Sequence, residues 1–339
     1  MPGDRADTRK VAGRARRWAG RGVLLLVGML VAGELAARYI VGMGDPPLFV
    51  LDPQIEYLLA PNQKCRRFGH DYLVNQWSMR SGPLAMPKPA SEQRVLVVGD
   101  SIVNGGGRID QSELATTLLC EPLPSADRPF ERRFAANVSA PSWGPPNQLA
   151  YVKRFGTFDA DVVIIVLNSD DWDDVPGLEY IGSAWPRSKP WCALQELVGV
   201  YGWKAVCRAM GRAPEPPPPP HTTTHEQDVE ACRQAFVDLV RLARSKGAKV
   251  GVVQYMKKAE LTGKPQEGYE VIRGWAQGLG IEPISTAAAF QKEVDAGKEA
   301  FLDGMHADAL GQRLLAGVIR QSIDRAEAAE GGGKGAGGK

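Results

Sequence analysis

Apolar residues along this chain follow three different rhythms. From Gly22 the stretch GVLLLVGMLVAGELAARYIVGMG is apolar on every face, with Glu34 as its sole acidic residue. A helix of about 20 such residues is long enough to cross a bilayer, provided Glu34 lies near the outer interface. Residues 44–93 are rich in proline and aromatics and show little periodicity, so they read as loops and short strands. From Arg94 onward the pattern alternates between short buried runs and amphipathic segments. Arg94–Val98, Asp161–Leu167, Val250–Gln254 and Ile281–Ile284 are predicted strands, and the second is apolar throughout, as a strand covered on both faces should be. Leu114–Leu119, 226–246, 267–279 and 307–326 are predicted helices. The clearest, 226–246, aligns Phe236, Leu239, Val240 and Ala243 on one face before Gly247 ends it. Strands alternating with helices imply a three-layer α/β/α fold on a mainly parallel sheet.

The segments divide the chain into a basic leader (1–21), a membrane anchor (22–43), a membrane-proximal segment (44–93), one α/β domain (94–326) and a low-complexity tail (327–339) ending GGGKGAGGK. Residues 176–225 break the α/β rhythm. They carry Trp185, Trp191 and Trp203, with Trp172 just before them, and include the stiff run Pro216–Pro220. They read as an insertion able to form a lid.

Charge sharpens the picture of the N-terminus. The formal net charge is +2, yet Arg5, Arg9, Lys10, Arg14, Arg16, Arg17 and Arg21 crowd the leader against only Asp4 and Asp7. The remainder is mildly acidic, which argues against a nucleic-acid partner. Basic residues before an apolar span orient it with the N-terminus in the cytoplasm, so the expectation is a single-pass inner-membrane protein whose domain is extracytoplasmic. Val23–Gly33 alone also resembles the core of a cleavable signal peptide, and either reading exports the domain. Five cysteines (Cys65, Cys120, Cys192, Cys207, Cys232) make no disulfide framework. Proximity alone would pair Cys192 with Cys207.

Candidate chemistry sits at the two ends of the α/β domain. Gly99-Asp100-Ser101 follows the first buried strand, where a serine entering a helix exposes its hydroxyl in the crevice that such sheets use for ligands. Its backbone N–H, at a helix N-terminus, is placed to meet a developing oxyanion. Asp303-Gly304-Met305-His306 sets a carboxylate three residues before an imidazole, close enough to hold Nδ1–H and leave Nε2 free as a base. None of the other histidines, His70, His221 and His225, has that arrangement. The acidic cluster Asp170, Asp171, Asp173 and Asp174 reads as a solvated loop rather than a calcium site. His221 and His225 follow a proline run and read as loop residues rather than a zinc pair. No metal and no cofactor are expected.

Together, Gly99-Asp100-Ser101, Asp303-x-x-His306 before the last helix, and the α/β alternation between them resemble the SGNH (GDSL) hydrolases, esterases and lipases on a flavodoxin-like sheet. The resemblance spans about residues 94–326, and the leader resembles that of membrane-anchored bacterial members. It implies Ser101 as nucleophile, His306 as proton shuttle, Asp303 as its orienting carboxylate and an acyl-serine intermediate. Two of the family's motifs depart from pattern. In Asn137-Val-Ser-Ala-Pro-Ser-Trp-Gly144 the position of the oxyanion glycine falls on Ser142, with Gly144 two residues later. In Asn168-Ser169-Asp170-Asp171 the asparagine position aligns on Asp170, whereas by chemistry Asn168 is the donor, since an ionised carboxylate cannot donate. The resemblance thus implies a serine esterase acting on an acyl ester, acetyl by family habit, of an envelope glycan or lipid. An acyltransferase on the same fold, or a non-catalytic carbohydrate-binding or assembly protein, are the alternatives, and the sequence names no protein partner.

Overall fold

Five parallel strands organise the larger part of the chain: β5 (Glu92–Gly99), β6 (Arg132–Ser139), β7 (Val162–Leu167), β8 (Lys249–Gln254) and β9 (Ile284–Ser285), in the order β6-β5-β7-β8-β9. Two antiparallel hairpins precede them, β1 (Phe49–Asp52) with β2 (Glu56–Leu59), and β3 (Gln63–Arg67) with β4 (His70–Val74). The structure is a computed structural model that describes residues 4–123, 130–177, 185–212 and 223–331. It divides into two compact units, Met1–Asp45 with Lys189–Pro214, and Pro46–Ser188 with Glu215–Lys339.

Within the second unit the sheet is covered on both faces, giving the three-layer α/β/α arrangement. One face packs under helices Pro145–Phe155, His225–Ser245 and Glu267–Gln277, against Leu96, Val98, Val163 and Ile165. The other packs under Ala287–Asp295 and Ala309–Gly331, against Val95, Val97, Ile164 and Val166. Successive residues of β5 and β7 therefore feed opposite cores, which is why both strands read as unbroken apolar runs. Strand β6 lies on one side of β5 and β7 on the other, so the chain reverses its direction of travel across the sheet beside β5. A crevice opens at the carboxyl ends of strands at such a point. Ser101, Ser139 and Asn168 all lie at or just past those ends.

Several elements differ from the sequence reading for identifiable reasons. Strand β5 begins two residues before Arg94, because the buried Arg94 guanidinium pairs with buried Glu92 at 2.7 Å and also donates to the carbonyls of Phe158 and Ala85. Strand β6 was not expected, since RRFAANVS has no continuous apolar run. Its Asn137 side chain instead donates to Val103 O at 2.7 Å and Thr116 Oγ1 at 3.1 Å. Helices Pro145–Phe155 and Ala287–Asp295 were also unanticipated, the first masked by its two opening prolines, which suit the first turn of a helix. The final helix runs to Gly331, beyond the start of the expected tail. His225 opens a helix rather than sitting in a loop, capped by Thr224.

In the first unit the helix Asp4–Leu35 continues as a π-helical turn, Ala36–Val41. Its part Arg16–Val41 is long and apolar enough to cross a membrane. Within the expected insertion, Ala193–Ala209 form a second, continuous helical stretch. The lid reading extended over 178–184 and 213–222, which lie outside the described residues, as do Pro216–Pro220 and His221. None of the five cysteines forms a disulfide. Cys192 and Cys207 stand at opposite ends of that helical stretch, on the order of 20 Å apart at the usual helical rise, so no disulfide joins them.

Arg80, fully buried, shows how the hairpin region supports the sheet. Its guanidinium lies 3.9 Å from the Tyr72 ring centroid and donates to the carbonyls of Asn104, Gly106 (2.6 Å) and Ile109 (2.6 Å). Burial lowers its pKa to about 10. These bonds fix the turn that follows the Ser101 helix. Replacing Arg80 with Met leaves three carbonyls unmet and is expected to destabilise the fold by about 3 kcal/mol. Arg80→Lys should recover only part of that, because an ammonium lacks the planar fork. Chemical denaturation of the three proteins checks this; an unchanged midpoint for Arg80→Met would contradict it.

Candidate active site

Strand β5 ends at Gly99, where the chain turns at once into the short helix Ser101–Asn104. A Cβ on Gly99 would come within 2.5 Å of Val103 Cγ2 and 3.2 Å of Val166 O, so only glycine lets the helix fold back so tightly. Asp100 caps that helix, its Oδ1 accepting from Ile102 N at 2.9 Å. Ser101 is thereby presented at the first helical position, and its N–H has no acceptor among the described residues.

The other half of the site comes from the turn before the last helix. Asp303 Oδ1 accepts from the N–H groups of Met305 (2.7 Å) and His306 (2.8 Å), and its Oδ2 lies 2.8 Å from His306 Nδ1. His306 Nε2 lies 3.0 Å from Ser101 Oγ. Burial tends to raise the Asp303 pKa, but the two N–H groups and the imidazole outweigh it and hold the carboxyl below its ordinary value. Asp303 therefore stays an acceptor, which fixes the proton on Nδ1 and leaves the Nε2 lone pair facing the serine. Three bonds brace this turn: Leu302 N to His306 O (2.7 Å), Lys258 N to Gly304 O (3.0 Å) and Tyr255 Oη to Met305 O (2.8 Å). Buried Gln312 ties the last helix to the Ser101 helix, donating to Ile102 O at 3.1 Å and accepting from Ala115 N at 2.9 Å.

The remaining expected residues divide. Ser142 is exposed with φ of 56°, a left-handed conformation that favours glycine, and its N–H also has no acceptor among the described residues. Gly144 does something else. Its N–H donates to Asn147 Oδ1 at 3.2 Å, and a Cβ there would fall 1.9 Å from Asp174 O, so this glycine serves close packing and helix capping.

Asn168 and Asp170 are both engaged. The Asn168 amide donates to Asp100 Oδ2 and to Asp171 Oδ2, each at 3.0 Å, and its Oδ1 accepts from Asp170 N at 2.8 Å. The Asp170 carboxylate pairs with Lys257 Nζ at 2.6 Å, and Lys257 also reaches Gln266 Oε1. Asn168 thus bridges two buried carboxyls in this structure. Burial raises Asp100 to about 6; it also raises Asp171, with the charge of Asp100 adding to the effect. Asp173 pairs with His225 at 3.2 Å, and no group of three or more potential metal ligands occurs among the described residues. Sequence reasoning missed Gln312, Tyr255 and Lys257, which carry no motif and act through contacts distant in the chain.

No family model matches this chain, and no curated protein does. Solved structures similar to it include TesA (18% identity over 69% of this chain and 99% of that one, TM-score 0.41). Others are a lipolytic G-D-S-L family protein from Veillonella parvula (14%, 68% and 98%, TM-score 0.39) and a two-domain esterase active on acetylated mannans (13%, 70% and 50%, TM-score 0.45). All of these likenesses are distant.

Asp174, beside Gly144, offers a test of the acidic cluster. Burial, with the charges of Asp100 and Glu56, raises its carboxyl to about 7. A carboxyl raised in the fold adds stability in full below its unfolded value, near 4, and that contribution is lost as pH climbs through about 7. Asp174→Asn removes the charge without the shape. Its melting temperature should therefore exceed that of the parent by more at pH 8.5 than at pH 5, and an equal increment at both pH values would contradict the assignment.

Proposed function

We propose that this protein is a serine esterase of the SGNH type, anchored in the membrane by its N-terminal helix and cleaving acyl esters of an extracytoplasmic glycan or lipid. The observation that carries the reading is the continuous chain Asp303–His306–Ser101, closed at 2.8 and 3.0 Å between residues from opposite ends of the domain. In the reaction, Ser101 Oγ attacks the acyl carbon while His306 Nε2 takes its proton. His306 then protonates the departing alkoxide, leaving an acyl-serine. Water deprotonated by the same Nε2 attacks the acyl carbon, releasing the acid and restoring Ser101. The N–H groups of Ser101 and Ser142 stabilise the oxyanion, consistent with neither having an acceptor among the described residues. Asn168 acts as a positioning residue that holds Asp100, and so the Ser101 turn, against the end of β7.

Hydrolysis of a panel of short- and long-chain nitrophenyl esters by the full chain tests this. Ser101→Ala should abolish turnover with no change in melting temperature. Asp303→Asn should lower kcat by roughly 10³- to 10⁴-fold with little change in KM, because it releases the imidazole tautomer. Wild-type turnover by Ser101→Ala on the best ester would overturn the proposal. Transfer of the acyl group to an added sugar in preference to water would reassign the protein as an acyltransferase.

A further inference from the structure

Glu34 lies seven residues before the end of the apolar helix, where an unpartnered carboxylate is costly. It is not unpartnered. Its two oxygens accept from the N–H groups of Ala193 (3.0 Å) and Leu194 (2.9 Å), and Arg38 Nε and Nη2 donate to Oε1 at 3.0 and 2.8 Å. The carboxylate therefore meets the free N–H groups at the start of the stretch Ala193–Ala209, where negative charge is favoured. Two further contacts fasten the same junction. Leu194 Cδ1 packs within 3.7 Å of the Cβ position of Gly33, and Glu196 Oε2 accepts from Gly44 N at 2.7 Å.

This stretch and the residues flanking it present apolar side chains outward. Trp191 is 94% exposed, and Val198, Tyr201, Trp203, Val206 and Met210 are each 44–61% exposed. Its charged residues are basic, Lys204 and Arg208 with Arg212 flanking, apart from the buried and bonded Glu196, while Lys189 just before it pairs with Asp45 at 2.6 Å. Tryptophan and tyrosine among aliphatics, with basic residues and no exposed acid, is the composition of a segment seated in the lipid headgroup region. Anionic headgroups complement the exposed guanidinium groups of Arg208 and Arg212.

We propose that residues 191–210 are a second membrane-contacting element, an interfacial helix in the outer leaflet whose start is fastened to the span through Glu34. This rests on Arg16–Val41 being a membrane span. Burial in lipid covers the exposed Trp191, Val198, Trp203 and Val206 and accounts for a glutamate inside the apolar run.

Photocrosslinking with genetically encoded p-benzoylphenylalanine tests it, using the full chain in nanodiscs of phosphatidylcholine and phosphatidylglycerol. The probe replaces Val198 or Val206, with Leu26 as the reference inside the span and exposed Ser245 as the aqueous reference. The expected result is a phospholipid adduct by mass spectrometry at Val198, Val206 and Leu26, and none at Ser245. Lipid adducts at Leu26 with none at Val198 and Val206 would overturn the interfacial helix alone. Crosslinks from Val198 or Val206 to a second copy of the chain in place of lipid would overturn it in favour of a dimer contact. Absence of lipid adducts at Leu26 as well would overturn the membrane span on which the proposal rests.

Discussion

One hydrogen bond, 3.0 Å between His306 Nε2 and Ser101 Oγ, joins side chains 205 residues apart, and much of the larger unit serves to hold its two ends. Ser101 is fixed from behind by the Gly99 turn, by Asp100 capping its helix, and by Arg80 and Asn104 organising the loop that follows. His306 is fixed by Asp303, by Tyr255 from the end of β8 and by a tight turn closed through Leu302. Gln312 connects the two halves directly. A serine hydroxyl is a weak nucleophile at its own pKa, so in the proposed reaction this scaffolding keeps a base within reach with its lone pair correctly aimed.

The electrostatics around this bond separate two kinds of carboxylate. Asp303 is half open to solvent and accepts from the N–H groups of Met305 and His306, which hold its carboxyl below its ordinary value. Asp100, Asp171 and Asp174 are shielded and repel one another, and burial drives each of them upward. The Asn168 amide, placed between Asp100 and Asp171, lets the first two lie close without a cation. The Asp170 charge is met instead by Lys257.

Much of this was legible in the sequence, and the limits have physical causes. Apolar runs at 94–98, 161–167 and 250–254 marked three central strands because parallel strands buried on both faces need such runs. Asp303 and His306 were legible as a pair because the constraint is local, three residues apart. Strand β6 was hidden because Asn137 turns its amide toward the Ser101 helix and the Ser139 hydroxyl donates back to Asn137, which breaks the apolar pattern. The bridging role of Asn168 and the pairing of Asp170 with Lys257 depend on residues 68 to 87 positions away, beyond any motif. Residues 189–212 read as part of an insertion because 176–225 break the α/β rhythm; in the structure they group with the N-terminal helix, through the capping of Ala193 and Leu194 by Glu34.

The most direct test of the central claim is to locate a covalent adduct. After reaction of the full chain with a fluorophosphonate, peptide mass spectrometry should find one modification per chain, on Ser101, and His306→Ala should suppress it. Modification of a different serine, or none under conditions where a known serine esterase reacts fully, would contradict the account.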